Sequence, residues 1–404
     1  MKKNNILYAI GNMILPVSNG ILALTVAKFL DLQIAAQLAV STAVATTFLA
    51  PYSGSLPTLI RRNTTNNNAS IILKSYTIIG AYFYIVALLL SSIYFSFSSK
   101  FDLVTMILLV LPKITEISIE LFFAHLQTTS QIKLFLKLRA VQSLTILVGA
   151  TASVIIKSIY PYIILTACFD ICMLSIFVKK INVADKISML KTDKVQLFNM
   201  CLASLFFVAQ SRIGTLVSAN IIDVRQFGIY STVLTLVSGA ALIANAFAIN
   251  IFSEFNQTDA RNGSLDNSLA EDFFKKTTKY FILALILVGL LVKVSPVGIT
   301  WIGQDGKDPL KLQIVRIAIF CLIPMCILPT FGYYLILLNQ IHWSLYLNAL
   351  FLIVNFVVTV IGCNRFGALG MAYSSLLTVS LYTLFHYILV SVGLKCSVKE
   401  KIFT

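Results

Sequence analysis

Charge is scarce in this chain of 404 residues: only 12% are Asp, Glu, Lys or Arg, and just 16 are acidic. A domain folded in water carries about twice that share of charged residues, so the composition excludes an ordinary soluble protein. Histidine is rarer still, with His125, His342 and His386 scattered far apart, and no HExxH, glycine-rich phosphate loop or GxSxG occurs. The signatures of metalloprotease, nucleotide-binding and hydrolase chemistry are therefore missing, and neither a catalytic residue, a metal site nor a cofactor is expected. The seven cysteines (Cys168, Cys172, Cys201, Cys321, Cys326, Cys363 and Cys396) form no CxxC pair. They read as reduced, lipid- or core-facing side chains rather than a disulfide framework. A cleavable leader is not expected either, because the apolar run after Met1-Lys2-Lys3 is too long for a signal-peptide core.

What the chain has in abundance is apolar sequence, at 58% of residues and a mean hydropathy of +0.88. A helix needs roughly 20 apolar residues to cross the hydrocarbon, and runs of that length recur about twelve times. They lie near 6–28, 34–58, 71–95, 103–124, 138–156, 159–179, 196–219, 228–252, 279–300, 312–337, 343–362 and 367–390. The runs are continuous rather than alternating, which argues against a β-barrel. Lys293 interrupts the ninth and would have to snorkel toward a headgroup. The expected fold is an all-α polytopic membrane protein with about 12 transmembrane helices.

Orientation follows from the 31 basic residues. Twenty fall on one side, among them Lys2, Lys3, Arg61, Arg62, Lys133, Lys137, Arg139, Lys186, Lys276 and Lys401, and eight on the other, including Lys100, Lys157, Arg225 and Lys311. The positive-inside rule assigns the first set and both termini to the cytoplasmic side of an inner (cytoplasmic) membrane. The net charge of +15 is then explained by topology and attraction to anionic membrane lipids, with no nucleic acid as partner.

A lysine-rich connection at 181–195 divides an N-terminal six-helix lobe, 1–180, from a C-terminal lobe, 196–404, that ends in a short cytoplasmic tail. Leu30-Asp31-Leu32-Gln33-Ile34-Ala35-Ala36 can be laid on Ile222-Asp223-Val224-Arg225-Gln226-Phe227-Gly228 at an offset that also superposes equivalent spans. That weak repeat predicts two pseudo-symmetric lobes with substrate held between them near the midplane. Pro16, Pro51, Pro112, Pro324 and Pro329 fall inside predicted spans, where each removes a backbone donor and bends its helix.

An ionisable group in a span costs about 2.5–3.5 kcal/mol on insertion scales, so each one needs a partner or an aqueous cavity. The candidates are Lys28 in the first span, Lys113, Glu116 and Glu120 in the fourth, Asp170 in the sixth and Arg212 in the seventh. Lys113, Glu116 and Glu120 are spaced three and four apart and share a helix face. Either Glu116 neutralises Lys113, or Lys113 lines the cavity about 16 Å along the helix from Asp102 while a nearby glutamate exchanges a proton or cation. Arg212 has no acid within one turn, so its partner comes from another helix, with Asp170 as the structural option, or from a bound anion, since a guanidinium suits phosphate. Asn348 and Asn355, seven apart on one face, are candidates for contacts to sugar hydroxyls or for bonds between helices.

Four stretches resemble a known family. They are Gly54-Ser55-Leu56-Pro57-Thr58-Leu59-Ile60-Arg61-Arg62, then Gln210-Ser211-Arg212-Ile213, then Phe227-Gly228-Ile229-Tyr230-Ser231, and finally Arg365-Phe366-Gly367-Ala368-Leu369-Gly370-Met371-Ala372-Tyr373. Together with the length and twelve spans, the chain is similar to the Wzx-type O-antigen flippases, the polysaccharide-transporter branch of the MATE-like (MOP) superfamily. That family often has Asp before the seventh-span Arg, where this chain has Ser211. The resemblance implies ion-coupled movement of undecaprenyl-diphosphate-linked O-antigen units from the cytoplasmic to the periplasmic leaflet, alongside an O-antigen polymerase and a chain-length regulator. Arg212, Lys113 and Lys28 would then be the cavity cations, and Glu116, Glu120 and Asp170 the coupling acids. A MATE-like exporter of cationic drugs is the nearest alternative, and an O-antigen polymerase is a third.

Overall fold

Apolar runs in hydrocarbon leave the backbone no water to bond, so each closes its hydrogen bonds within a helix. The computed structural model describes residues 2–53, 84–96, 100–128, 131–180, 191–241, 267–298, 300, 309–337 and 341–400. Among them every element is helical, and the protein is an all-α, multi-pass membrane protein built of two lobes. The first lobe contains α1 (Lys2–Thr25), α2 (Leu32–Phe48), α3 (Tyr84–Ser96), α4 (Leu103–Thr128), α5 (Ile132–Ile156) and α6 (Tyr160–Lys180). The second contains α7 (Lys191–Ile221), α8 (residues 224–241), α9 (Asn267–Gly298), α10 (Pro309–Phe320), α11 (Leu322–Leu337) and α12 (Ile341–Glu400). The stretch at 54–62, the connection at 181–190 and the segments 255–266 and 301–308 lie outside the described residues.

Within the first lobe α1 packs on α5, α5 and α4 on α6, and α2 on α4; in the second, α12 packs on α7, α10 and α11, and α9 on α11. The lobes meet along α2 and α7. Large apolar side chains such as Val104, Leu144, Ile155, Ile286, Leu290 and Ile353 stand exposed around the outside, which is the polarity expected where lipid is the solvent. Hydroxyls inside the helices bond back to carbonyls one turn earlier, as Thr47 to Ala43 (2.7 Å), Thr166 to Tyr162 (2.6 Å) and Ser218 to Gly214 (2.6 Å).

Three boundaries depart from the sequence expectation. Helix α5 begins at Ile132 rather than near 138, because Ile132 and Phe135 are buried in its first turns while Lys133 and Lys137 face outward. Helix α9 begins at Asn267, well before 279, so the expected solvated connection ends in helix; Phe273 is buried there and Asp272 pairs with Lys276 at 2.7 Å. The tenth span is two helices. Pro324 has no N–H for the carbonyl of Phe320, and the break falls at Cys321 between α10 and α11. Lys293 stands exposed near the end of α9, where its stem can reach the interface.

The expected last two spans form one element, α12, folded back at Gly367, whose φ of 57° and ψ of −133° favour glycine. On either side of that turn Gly362 and Gly370 bring the two helical arms together so closely that a Cβ on Gly370 would overlap the carbonyl oxygen of Gly362. Ser374 fastens the turn by donating to the carbonyl of Val358 at 2.9 Å. Gly370→Val is expected to destabilise the protein by about 1–3 kcal/mol, the usual range for overpacking. The check is the apparent Tm of purified protein, beside an unaffected Gly289→Val, since a Cβ at Gly289 meets nothing within 4 Å.

Candidate functional site

Polar side chains converge inside the first lobe from α1, α4, α5 and α6. Lys113, buried on α4, donates to Glu116 Oε2 at 2.6 Å one turn away and to Asn19 Oδ1 of α1 at 3.2 Å. Asn19 returns a bond from Nδ2 to Glu116 Oε1 at 3.5 Å. Beside this trio Asp170, buried on α6, accepts from Thr115 at 3.0 Å and from Gln142 Nε2 at 3.4 Å. Glu116, Gln142, Tyr162 and Asp170 line a cavity of about 10 Å³ next to Pro112, room for about one water molecule.

Gln142 also accepts from Arg139 Nη1 at 3.1 Å. Arg139 itself holds both oxygens of Glu120, at 2.6 and 2.7 Å, and stacks its guanidinium 3.7 Å above the Phe123 ring. Both bonds to Glu120 come from Nη2 while Nη1 serves Gln142, so the planar guanidinium divides its donors between a carboxylate and an amide and rests on an aromatic face. Three acids (Glu116, Glu120 and Asp170) thus face two cations (Lys113 and Arg139). With all five ionised the cluster carries one net negative charge, which a single proton or monovalent cation would cancel.

Arg212 is placed differently. It lies nine residues before the end of α7, about 14 Å along the axis. Cys201, eleven residues earlier and so three turns away on the same face, donates to the carbonyl of Pro51 in the first lobe at 3.4 Å. Leu216, one turn later, accepts from the hydroxyl of Tyr94 on α3 at 3.2 Å. The Arg212 face of α7 is therefore turned to the first lobe, and its half-buried guanidinium has no hydrogen-bond or ion-pair partner among the described residues. Asp170, the ion-pair option, is engaged by Thr115 and Gln142 instead.

The remaining candidates are dispersed. Lys28, in a single π-helical turn that ends α1, reaches across the lobes to the carbonyl of Thr300 at 2.6 Å, just beyond α9. Asn355 bonds the carbonyl of Gln210 at 2.7 Å and accepts from Thr359 at 3.1 Å, while Asn348 bonds the carbonyl of Ala203 at 3.5 Å and accepts from Tyr382. Both asparagines are buried and tie α12 to α7. Arg212, Lys113 and Lys28 thus do not form one group: one faces the seam, one is neutralised inside a lobe and one sits at an end of the bundle.

At that same end the repeated segments meet. Asp31 accepts from the backbone of Gln33 at 3.3 Å and Asp223 from Arg225 and Gln226 at 3.0 and 3.2 Å, so each caps the second helix of its lobe. The two turns face one another across a cleft of about 450 Å³. Gly228 touches Leu32 so closely that a Cβ would overlap the Leu32 carbonyl oxygen. Lys100 donates to the carbonyl of Ile222 at 2.8 Å, the second lysine of the first lobe to cap a helix end of the other.

Sequence reasoning missed Arg139 and Gln142. Arg139 follows Lys133 and Lys137 and was grouped with them as a basic connection. The signal that could have separated it is periodicity: from Arg139 onward, Arg139, Gln142, Ser143, Ile146, Gly149, Ala150 and Ser153 are the buried positions of α5, while Val141, Leu144 and Val148 are exposed. In lipid a polar stripe at helical spacing marks the side that faces protein.

No protein-family model and no curated protein matches the sequence. Solved structures do match over nearly the whole chain. The Lipid II flippase MurJ in an inward closed conformation is 15% identical, covers 98% of this chain and 91% of its own, and superposes with a TM-score of 0.64. An inward-facing multidrug resistance MATE family transporter of the MOP superfamily is 12% identical, with coverage of 97% and 99% and a TM-score of 0.70. A MOP superfamily transporter from Pyrococcus furiosus, described with a binding pocket of reversed polarity, is 12% identical with coverage of 97% and 96% and a TM-score of 0.62. The fold is that of the MOP-superfamily transporters.

Proposed function

We propose that the protein is a flippase that carries an undecaprenyl-diphosphate-linked O-antigen oligosaccharide from the cytoplasmic to the periplasmic leaflet of a bacterial inner membrane. The observation that carries this reading is Arg212: a permanently charged group near mid-membrane, turned to the seam between two lobes and without a counter-charge among the described residues. Leaving a cation there is costly unless the cargo brings the anion, and a diphosphate fits a planar guanidinium. The overall likeness to a Lipid II flippase supports a lipid-linked cargo.

Alternating access then works from the closed end. In this reading the end where Lys28 and Lys100 reach across beside the Asp31 and Asp223 turns faces the periplasm and is the closed one. Cargo enters from the cytoplasmic side, its diphosphate meets Arg212, and the lobes rock about the α2–α7 contact. The acid cluster supplies the coupling. In our reading Asp170 takes up a proton or cation in exchange for the cargo step, which is how the net negative charge of Glu116, Glu120 and Asp170 over Lys113 and Arg139 is relieved.

The inward-facing drug transporter superposes better than the flippase, at a TM-score of 0.70 against 0.64, which keeps export of cationic drugs as the second reading. Deleting the gene in its native host separates the two. Single lipid-linked oligosaccharide units that accumulate and stay inaccessible from the periplasm establish the flippase; drug hypersensitivity without such accumulation establishes the exporter.

A further inference from the structure

Gln142 sits between a group that can only donate and a group that accepts. Arg139 has no acceptor atom, so the side of the Gln142 amide that faces it at 3.1 Å must be the oxygen. The amide nitrogen is then forced toward Asp170 Oδ1, at 3.4 Å. An NH₂ group cannot accept, so Oδ1 is held as an acceptor and cannot carry a proton toward Gln142. The other oxygen, Oδ2, meets the Thr115 hydroxyl at 3.0 Å. Thr115 has a single proton and two further acceptors, the carbonyls of Leu111 at 3.1 Å and Pro112 at 3.0 Å. Its hydroxyl can give that proton to an ionised Oδ2, or turn it to the carbonyls beside the Pro112 bend and accept from a protonated Oδ2.

We infer that Arg139 is a positioning residue which, through Gln142, confines proton binding at Asp170 to Oδ2, the oxygen that Thr115 can read. This rests on the proposed coupling role of Asp170 and adds to it the orienting chain Glu120–Arg139–Gln142. Glu120 holds Nη2 of Arg139 with two bonds, and the stacked Phe123 ring holds the guanidinium plane. The charged and titratable groups facing Asp170 are Glu116 and Lys113 from α4 and Tyr162 from α6 itself, while α5 presents Arg139 through Gln142. Arg139 therefore acts on the carboxyl by orientation. A lysine at 139 keeps the positive charge but has a single nitrogen, so it cannot hold Glu120 through one planar donor and orient Gln142 through another.

The test is a pH titration of full-length protein in proteoliposomes, with protons as the only ligand, read by difference infrared spectroscopy of the protonated carboxyl band that Asp170→Asn removes. In Gln142→Leu, and equally in Arg139→Lys, the pH at which that band reaches half its height is expected to rise by about one unit, the worth of one charge-assisted bond to the carboxylate. Combining the two changes should shift it no further, because both cut the same chain. Unchanged midpoints in both single variants, or fully additive shifts in the double, overturn the positioning role and leave the coupling role of Asp170 standing. If Asp170→Asn removes no band anywhere in the titration, the proton-coupling reading falls and the positioning role falls with it.

Discussion

Arg212→Ala is expected to reduce export of lipid-linked oligosaccharide to background, by roughly 30-fold or more, while Arg212→Lys retains a measurable fraction. The scale comes from removing one partner of a desolvated charge contact, about 2–5 kcal/mol. A lysine keeps the charge at that depth but loses the fork that can hold two phosphate oxygens at once. Because Arg212 has no protein partner among the described residues, its removal breaks no hydrogen bond or ion pair among them. The thermal stability of Arg212→Ala should thus match wild type, which separates loss of cargo binding from loss of fold. Full export activity in both variants would sink the cavity role.

Glu120→Gln should have the opposite profile, a large loss of stability. Arg139 is 3% exposed, and taking away its carboxylate strands a buried guanidinium, which costs about 3–5 kcal/mol where no water can replace the partner. Glu120 is itself partly open, with 30% of its side chain accessible, so the lower end of that range applies. The rescue is the informative part. Glu120→Gln combined with Arg139→Met removes both charges and should recover much of the apparent Tm, because no buried charge is then left without its counter-ion. A double variant as unstable as the single would mean that the pair is held by packing through Phe123 rather than by charge.

Much of the architecture could be read from sequence because hydropathy alone sets where a chain crosses lipid. The expected spans at 103–124 and 159–179 sit within or close to α4 and α6, and the 30–36 and 222–228 repeat turned out to be a pair of aspartate-capped turns facing each other. The glycine-rich approach to the last span was visible as a motif, but its cause, backbone contact between Gly362 and Gly370, needs the two arms of α12 to be brought together first. The site divided in the same manner. Glu116 with Lys113 is a local pair fixed by helical spacing and was anticipated as one option. Arg139 with Glu120, nineteen residues apart on neighbouring helices, follows from tertiary packing, and a single sequence gives no distance between helices. Where Arg212 points was also beyond local reasoning, because the facing side of α7 is defined by Pro51 and Tyr94 in the other lobe.

The two lysines that reach between the lobes beside the Asp31 and Asp223 turns both come from the first lobe, and both acceptors are carbonyls just past helix ends in the second. A helix C-terminus carries a partial negative charge, so each contact is an ammonium seated on a dipole rather than an ion pair. Such contacts near the membrane surface are screened within about 10 Å at 0.1 M salt. If the proposed cycle opens and closes that end, its balance is tuned by the ionic strength of the compartment it faces, and a dilute medium favours the closed form.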